Sequence, residues 1–444
     1  MVDLWTENLK DPKWIEAIRD YHPADIAEQT KHLPVTKIRE ILRQLPDELT
    51  AEVIAEYPIE ISVQLFETMR LQRLSGIIEE MFTDDAADVL GQLSAKRLNE
   101  IMGSLNPEDA LDIRSLLRYP EDSAGGIMQA EYVALDCNLT VEEAIEKLRR
   151  DEYVETTDLF YIYVIDDEEK LRGVLRVRDL LFGAKDRKIE GLMNKEVRCV
   201  SVHADQEEIA GLFQRYHFSS LPVVDDFQRL QGVVTSDDIM EIVQEEATED
   251  MQLMVGLSGE EMLETPVKTS IKNRLPWLYV NLLTAFAAGS VVSIFENTIA
   301  QYAILAALLP IIAGQGGNAG TQTLTILVRS LALGEVTDQD KRHALYKEVM
   351  VGLVNGISVG LVVGLICWVW KGNAMLGVIA CLAMLINMLA AAFAGVVIPL
   401  GLKSLKIDPA LASAIMLTTV TDVVGFFVFL GLAALGMKFL PGMF

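Results

Sequence analysis

The sequence predicts a multidomain protein of three kinds of structure: an all-α superhelical N-terminal domain, an α/β domain made of one unit used twice, and an all-α transmembrane bundle of five helices. Three observations carry this expectation. The chain has 444 residues, more than one ordinary core accommodates. Its charge is divided: ten Lys/Arg against seven Asp/Glu give residues 271–444 about +3, so the total of −26 leaves −29 for residues 1–270. A strand-and-helix pattern also occurs twice between residues 126 and 243. The expected divisions are 1–125 for the acidic helical domain, 126–243 for the duplicated domain, 244–275 for a connecting helix and 276–444 for the membrane domain.

Residues 1–125 read as short amphipathic helices, with apolar residues at three- and four-residue spacing and breaks at HPADIAEQ, LPDELTAE and FTDDAADVL. The phrases ADIAE (24–28) and AADVLG (86–91) suggest loosely repeated units. Asp84 and Asp88 lie four apart, hence on one helix face, with Asp85 adjacent. Asp84 is a candidate helix cap; Asp88 is then an unexplained like-charge neighbour.

In the next domain VIDDEEKLRGVLRVRDL matches VVDDFQRLQGVVTSDDI almost position for position. Each copy runs strand, capped helix, strand, turn, strand, helix. The last helix continues as DDIMEIVQEEATEDMQLM. There Asp238, Glu241, Glu245 and Glu249 form one acidic stripe, with Glu246 and Asp250 one step round. Like charges at these spacings destabilise a helix. The stripe is either a solvated face or a surface that divalent ions bridge to other acids. Carboxylate oxygens suit magnesium or calcium, and the lack of clustered His and Cys argues against zinc or copper.

Five apolar stretches follow, each long enough for a hydrocarbon layer of roughly 30 Å: 277–295, 299–331, 349–370, 374–400 and 409–436. Basic residues in the connections (Lys268, Lys272, Arg274; Arg329, Lys341, Arg342, Lys347; Lys403, Lys406) put the N-terminus in the cytoplasm and the C-terminus outside. The start, MVDLWTENLKDPKW, lacks the marks of a signal peptide. The membrane expected is therefore the cytoplasmic (inner) one.

Polar residues within these stretches are costly unless they face water or a partner. Asp422 stands mid-way along the fifth, flanked by Thr418, Thr419 and Thr421, with no base in its own helix; it is a cation-site candidate. The second holds Pro310 and AGQGGNAGTQT. Its four glycines in seven residues loosen the helix, and Gln315, Asn318 and Gln322 can line a wet cavity. Asn355 and Asn387 add one polar position each to the third and fourth, for either a helix-to-helix hydrogen bond or pore lining. One Asp cannot cage a metal wanting six oxygens, but magnesium often keeps its waters. Two copies of Asp422 across a two-fold axis suit such an ion, so a homodimer with the pore at its interface is expected.

Several classes are excluded or disfavoured. An acidic half repels nucleic acid. Cys137, Cys199, Cys367 and Cys381 form no CxxC pair. No nucleophile-and-base pattern, phosphate loop or HExxH motif indicates an enzyme. A membrane-anchored sensor that transports nothing has no use for Asp422 or the glycine-rich segment.

The duplicated unit resembles a tandem CBS pair, a fold that senses ligands, often adenine nucleotides. The resemblance puts Asp179, and Asp237 or its neighbour Asp238, where a ribose-binding acid would stand, so ATP is a candidate ligand. In this order, with YPEDSAGGIM (119–128), GQGGNAGTQ (314–322) and DPALAS through TTVTDVVGFF (408–427), the whole chain resembles the MgtE family of bacterial magnesium channels. The resemblance implies that Asp422 is the pore acid. It also implies that Glu52, Asp84, Asp88, Asp238, Glu241, Glu246, Glu249 and Asp250 hold regulatory Mg2+. Two positions depart from the pattern: Ala414, where some members carry Asn, and His217, where an acid can occur. Negative feedback is the expected mechanism. Abundant cytoplasmic magnesium bridges the acidic faces and draws the connecting helix, roughly Glu260 to Lys272, against the pore. Another divalent ion such as cobalt is the alternative cargo.

Overall fold

The computed structural model describes residues 18–150, 161–259, 261–262, 265–334, 336, 340–411 and 413–439. The chain forms two compact units, residues 1–242 and 243–444.

Among the described residues the first unit opens with eight short helices: α1 (Pro23–Thr30), α2 (Val35–Leu42), α3 (Asp47–Ala55), α4 (Ile59–Thr68), α5 (Leu71–Ile78), α6 (Thr83–Gly91), α7 (Ala95–Met102) and α8 (Pro107–Leu116). Proline ends one helix and starts the next at Pro34, Pro46 and Pro58, because it lacks the N–H that a helix interior needs. Each of α1 to α6 packs on the helix two places further along, which makes a stack of turns around one apolar core including Ile26, Ile54, Phe66, Leu74 and Leu90. The repeat is visible in two arginines 24 residues apart. Arg73 Nη2 donates to the carbonyls of Leu42 (2.7 Å) and Leu45 (3.1 Å); Arg97 Nη2 donates to those of Phe66 (2.8 Å) and Met69 (2.6 Å). The offsets, 31 and 28 residues back, are the same. The superhelix expected from the sequence is thus present.

Two α/β repeats follow. The first contains β1 (Ala134–Asp136), α9 (Val141–Leu148), β2 (Tyr161–Ile165), β3 (Leu171–Arg176) and α10 (Val177–Leu181). The second contains β4 (Val200–Ser201), α11 (Gln206–Tyr216), β5 (Ser220–Val224), β6 (Leu230–Thr235) and α12 (Ser236–Met254). Each sheet has its first strand parallel and its third antiparallel to the middle one, with a bulge at Val164/Ile165 or Val223/Val224. Both hairpins turn on an Asp whose Oδ1 accepts two backbone N–H groups, Asp166 and Asp225. Both also place a non-glycine residue in the left-handed region, Glu169 (φ 61°) and Gln228 (φ 65°). These two turns exchange hydrogen bonds, Leu171 N to Gln228 O (3.0 Å) and Leu230 N to Glu169 O (3.1 Å), so the repeats are joined by a pseudo-two-fold. The helices are capped as the sequence suggests: Thr140 and Glu143 form a capping box and Asp205 caps α11.

The second unit contains five long helices: α13 (Val267–Ile294), α15 (Ile304–Ala332), α16 (Asp340–Lys371), α17 (Ala374–Ser404) and α18 (Ser413–Phe439), with a short α14 (Glu296–Gln301) after the first. Among the described residues, α13, α16, α17 and α18 are long and apolar enough to cross a membrane. Helix α15 has 29 residues, but its glutamines, asparagine and glycines dilute its apolar character. Helices α16 and α17 form a tight hairpin, joined through Gly372 (φ +66°) and capped by Asn373, whose Oδ1 accepts from Leu376 N. Gly352, Gly356, Gly360 and Gly364 line the buried side of α16. A Cβ at any of them would come within 2.7–2.9 Å of α17, at Ala392, Leu385, Cys381 O and Gly377 O. The apolar environment gives no hydrophobic drive to helix pairing, so close backbone approach supplies the contact.

The connection differs from the expected single helix over 244–275. Helix α12 continues to Met254, the chain is non-helical at 255–259, 261–262 and 265–266, and helix resumes at Val267 and runs directly into the first apolar span. Gly256 (φ +80°) and Gly259 (φ +91°) break the helix in backbone conformations that side-chain-bearing residues avoid. Glu260, named as the start of the connecting helix, lies outside the described residues. The elbow is tied at both ends. Gln252 of α12 donates Nε2 to Glu261 O (2.8 Å) and accepts at Oε1 from Glu261 N (2.9 Å), while Arg274 Nε of α13 donates to Glu261 Oε1 (2.8 Å).

Candidate metal-sensing and permeation sites

In the first unit, α6 and the start of α12 bring acids together. Asp84 is 7% exposed, Asp85 is half-buried and Asp88 is exposed. Asp84 does not cap its helix. The first turn of α6 is capped from outside: Glu131 accepts from Thr83 N (3.2 Å) and from Thr83 Oγ1 (2.9 Å). Asp84 Oδ1 instead accepts from Asp85 N (2.9 Å).

Burial pushes the Asp84 carboxyl well up from its usual range, and the charges of Asp85 and Asp238 push it further. Asp85 is pushed up to about 7, first by burial and then by Asp238, Asp88, Glu241 and Glu56. Asp238 is pushed up to about 6 by burial, with Asp237 and Glu241 adding to it, against the hydroxyl of Thr235. The charges acting most on Asp85 are all negative. A cation is therefore the natural complement of this cluster.

The strand register makes Asp238, not Asp237, the counterpart of Asp179. Val164 pairs with Gly173 as Val223 pairs with Gly232, and each acid lies six residues beyond its glycine. Asp238 is turned to the cluster, bonded by Thr235 Oγ1 and approached by Gln129 Nε2. Asp179 is held by Arg176 Nε (3.1 Å), and Asp237 is exposed. Glu52 is exposed on α3; it is not among the charges acting most on the cluster, whereas Glu56, one turn on, is. His217 ends α11 in the left-handed conformation (φ 54°).

The second unit gathers a further acidic group. Asp250, on the last turns of α12, is pushed up to about 6 by burial, then by Asp408 and Glu246, with Arg329 opposing. Asp408, in the α17–α18 connection, accepts from Ala410 N at Oδ1 (2.6 Å). The sequence reading missed Asp408 as a site residue. Its DP dipeptide before a helix reads as a turn, and only the tertiary fold brings it to Asp250. Glu249 is half-buried and lies over Gly259. Among the described residues no three His, Cys, Asp or Glu side chains are grouped closely enough to hold a metal ion by themselves.

Asp422 lies mid-way along α18, half-buried. The threonines beside it spend their hydroxyls on their own helix, Thr418 to Ala414 O (3.0 Å), Thr419 to Ile415 O (2.7 Å) and Thr421 to Thr418 O (3.0 Å). They do not hold the carboxylate. Gly317 of α15 faces this turn, its Cβ direction ending 3.8–3.9 Å from Thr418 and Thr421. Gln315, Asn318, Gln322 and Thr325 leave an exposed polar stripe along α15, at three- and four-residue spacing. Of the two asparagines left open by the sequence, Asn355 is exposed and Asn387 is fully buried between helices.

Comparison with known proteins identifies the same order of domains. Residues 309–432 match a family described as divalent cation transporter, 21–122 match the MgtE intracellular N domain, and 124–186 and 189–245 each match a CBS domain. The magnesium transporter MgtE of Enterococcus faecalis is 36% identical over 75% of this chain and 73% of its own length. The chain belongs to the MgtE family. MgtE of Thermus thermophilus is 34% identical over 79% of each chain. A solved cytosolic domain of the Mg2+ channel MgtE in complex with ATP is 34% identical with a TM-score of 0.51. It covers 55% of this chain and 100% of its own. As an MgtE family member the chain is a membrane protein, with the helical domain, CBS pair and helical bundle expected from its sequence.

Proposed function

We propose that this chain carries Mg2+ into the cell across the cytoplasmic membrane and that cytoplasmic Mg2+ closes it. One observation supports the reading above others: acids are gathered at two places on α12, beside Asp84 and Asp85 at its start and beside Asp408 at its end, while a further acid, Asp422, stands alone in an apolar helix. Sensor and cargo site would then read the same ion.

Asp422 is the pore acid in this reading, and Glu52, Asp84, Asp88, Asp238, Glu241, Glu246, Glu249 and Asp250, with Asp408 added, take regulatory Mg2+. When the ion is scarce the acidic faces repel. When it is abundant, ions offset that repulsion and hold α12 in place, which is allosteric closure provided Mg2+ binds the closed arrangement more tightly. The polar stripe of α15 would face a second copy across a two-fold axis, since such a row is costly against lipid. All five long helices span the membrane, with the N-terminus cytoplasmic and the C-terminus outside, as the basic connections require.

The test is Mg2+ flux into vesicles holding the purified protein, at rising Mg2+ on the cytoplasmic side. Flux should fall as that Mg2+ rises, and flux indifferent to it would remove the feedback. Asp422→Ala should abolish selective flux. Competition by Co2+ separates magnesium from the alternative cargo. Asp179, in the first turn of α10, is the acid for a ribose in this reading, since its counterpart Asp238 is turned to the acidic cluster; ATP binding by the CBS pair is part of the proposal, and an Asp179→Ala variant should lose it.

A further inference from the structure

Asn387 is a fully buried polar side chain of the bundle whose chemistry neither the sensor nor the pore acid uses. It lies on α17 with 0% exposure, and its Nδ2 donates to the carbonyl of Ile312 on α15 at 2.9 Å. Its Oδ1 is buried with no partner among the described residues. Two glycines make room for the amide, one from each neighbouring helix. A Cβ on Gly316 of α15 would stand 2.2 Å from Nδ2, and one on Gly425 of α18 would stand 2.8 Å from it.

Placement gives this contact its meaning. Gly316 is next to Gly317, which faces Thr418 and Thr421, and Gly425 is one turn beyond Asp422. The amide therefore touches both helices where the glycine-rich segment of α15 meets the Asp422 turn. A polar amide at full burial, with one oxygen unsatisfied, is a costly filler where Leu or Ala would pack. A group that bonds a backbone carbonyl does what an apolar filler cannot: it fixes the depth of α15 as well as its distance.

We infer that Asn387 is a positioning residue for ion selection, its amide setting the separation and register between the glycine-rich face of α15 and the Asp422 turn of α18. The inference rests on Asp422 being the pore acid. A shift of about an ångström at such a site alters discrimination strongly.

The experiment uses the full chain in vesicles and reads the ratio of Mg2+ to Ca2+ flux. Asn387→Ala should lower that ratio on the order of tenfold. Gly316→Ala alone, which drives a methyl into the amide, should lower it as well. In the double variant the methyl takes the vacated space, and the ratio should recover in part. An unchanged ratio in Asn387→Ala, or parallel loss of both fluxes at constant ratio, overturns the inference; so does simple additivity in the double variant. Should Asn387→Ala fail to fold, Gly425→Ala displaces the same amide from the other side, and an unchanged ratio there overturns it equally. Asp422→Asn is run alongside. Selective flux persisting in that variant removes the pore acid and with it the premise, whereas loss of selective flux there beside an unchanged ratio in Asn387→Ala overturns the inference alone.

Discussion

Asp84 and Asp238, 154 residues apart in the chain, lie close enough for the charge of Asp238 to raise the proton affinity of Asp84, with Asp85 and Glu241 in the same cluster. Removing one of these charges should ease the repulsion that a bound cation otherwise offsets. In Asp238→Asn, amides of α6 should be protected from hydrogen exchange without Mg2+, and added Mg2+ should change that protection less than in the wild type. Equal Mg2+ dependence in the two proteins would count against the cluster as the sensor.

The same groups give a pH dependence. Asp85 and Asp238 titrate near 7 and 6 in the fold, against about 3.9 in an unfolded chain. The folded state binds more protons, so the free energy holding α6 to α12 falls as pH rises. This contribution is complete below about pH 4, falls progressively as pH rises from there, and is gone once pH has passed the folded values of about 6 and 7. Without Mg2+, the protection of α6 amides relative to their intrinsic exchange rates should be greater at pH 5 than at pH 8. Adding Mg2+ should slow exchange at pH 8 and do little at pH 5.

Asp408 is expected to act through Asp250. Neutralising it in Asp408→Asn removes the largest like charge on Asp250, so the Asp250 carboxyl should titrate lower. Because the variant also loses the charge and oxygens that Asp408 offers the ion in the proposed reading, cytoplasmic closure by Mg2+ should need a higher concentration, read as a shift of the half-inhibiting Mg2+ in vesicle flux.

The α16–α17 hairpin should tolerate little at its glycines. Gly356→Leu would force a side chain into Leu385 and its carbonyl, which lie within about 3.3 Å of a Cβ there. Overpacking of this kind costs about 1–3 kcal/mol or more. Thermal unfolding of the detergent-solubilised protein should move down accordingly, with a larger loss than for Gly289→Leu, where a Cβ meets open space.

In the N-terminal domain, Arg97→Ala leaves the carbonyls of Phe66 and Met69 without their donor. The cost should be about 1–3 kcal/mol, and Arg73→Ala should cost a similar amount because it caps the preceding turn in the same way. Chemical unfolding monitored by helix content checks both.

Much of this was readable from residues alone, for physical reasons that differ by region. Apolar stretches of 20 residues announce themselves, so the long helices stand close to where hydropathy put them. The duplication was legible because both hairpins need the same Asp and a glycine that admits a neighbouring chain segment, Gly173 against Met193–Asn194 and Gly232 against Met128–Gln129. Asp422 stood out because an acid in an apolar run is costly. What sequence could not supply was tertiary pairing. Glu131 capping α6 from 48 residues away, and Asp408 beside Asp250, leave no local pattern. The broken connection was partly visible in Gly256 and Gly259, but helix-favouring residues on either side masked it. The strand register, not the motif, chose Asp238 over Asp237.

The elbow between α12 and α13 grips main chain on one side and a carboxylate on the other. Gln252 takes both the N–H and the C=O of Glu261, and Arg274 takes its side chain. Force along the axis of α12 would therefore reach Glu261 and, through Arg274, the head of α13, so the two helices are geared together by three particular side chains, Gln252, Glu261 and Arg274.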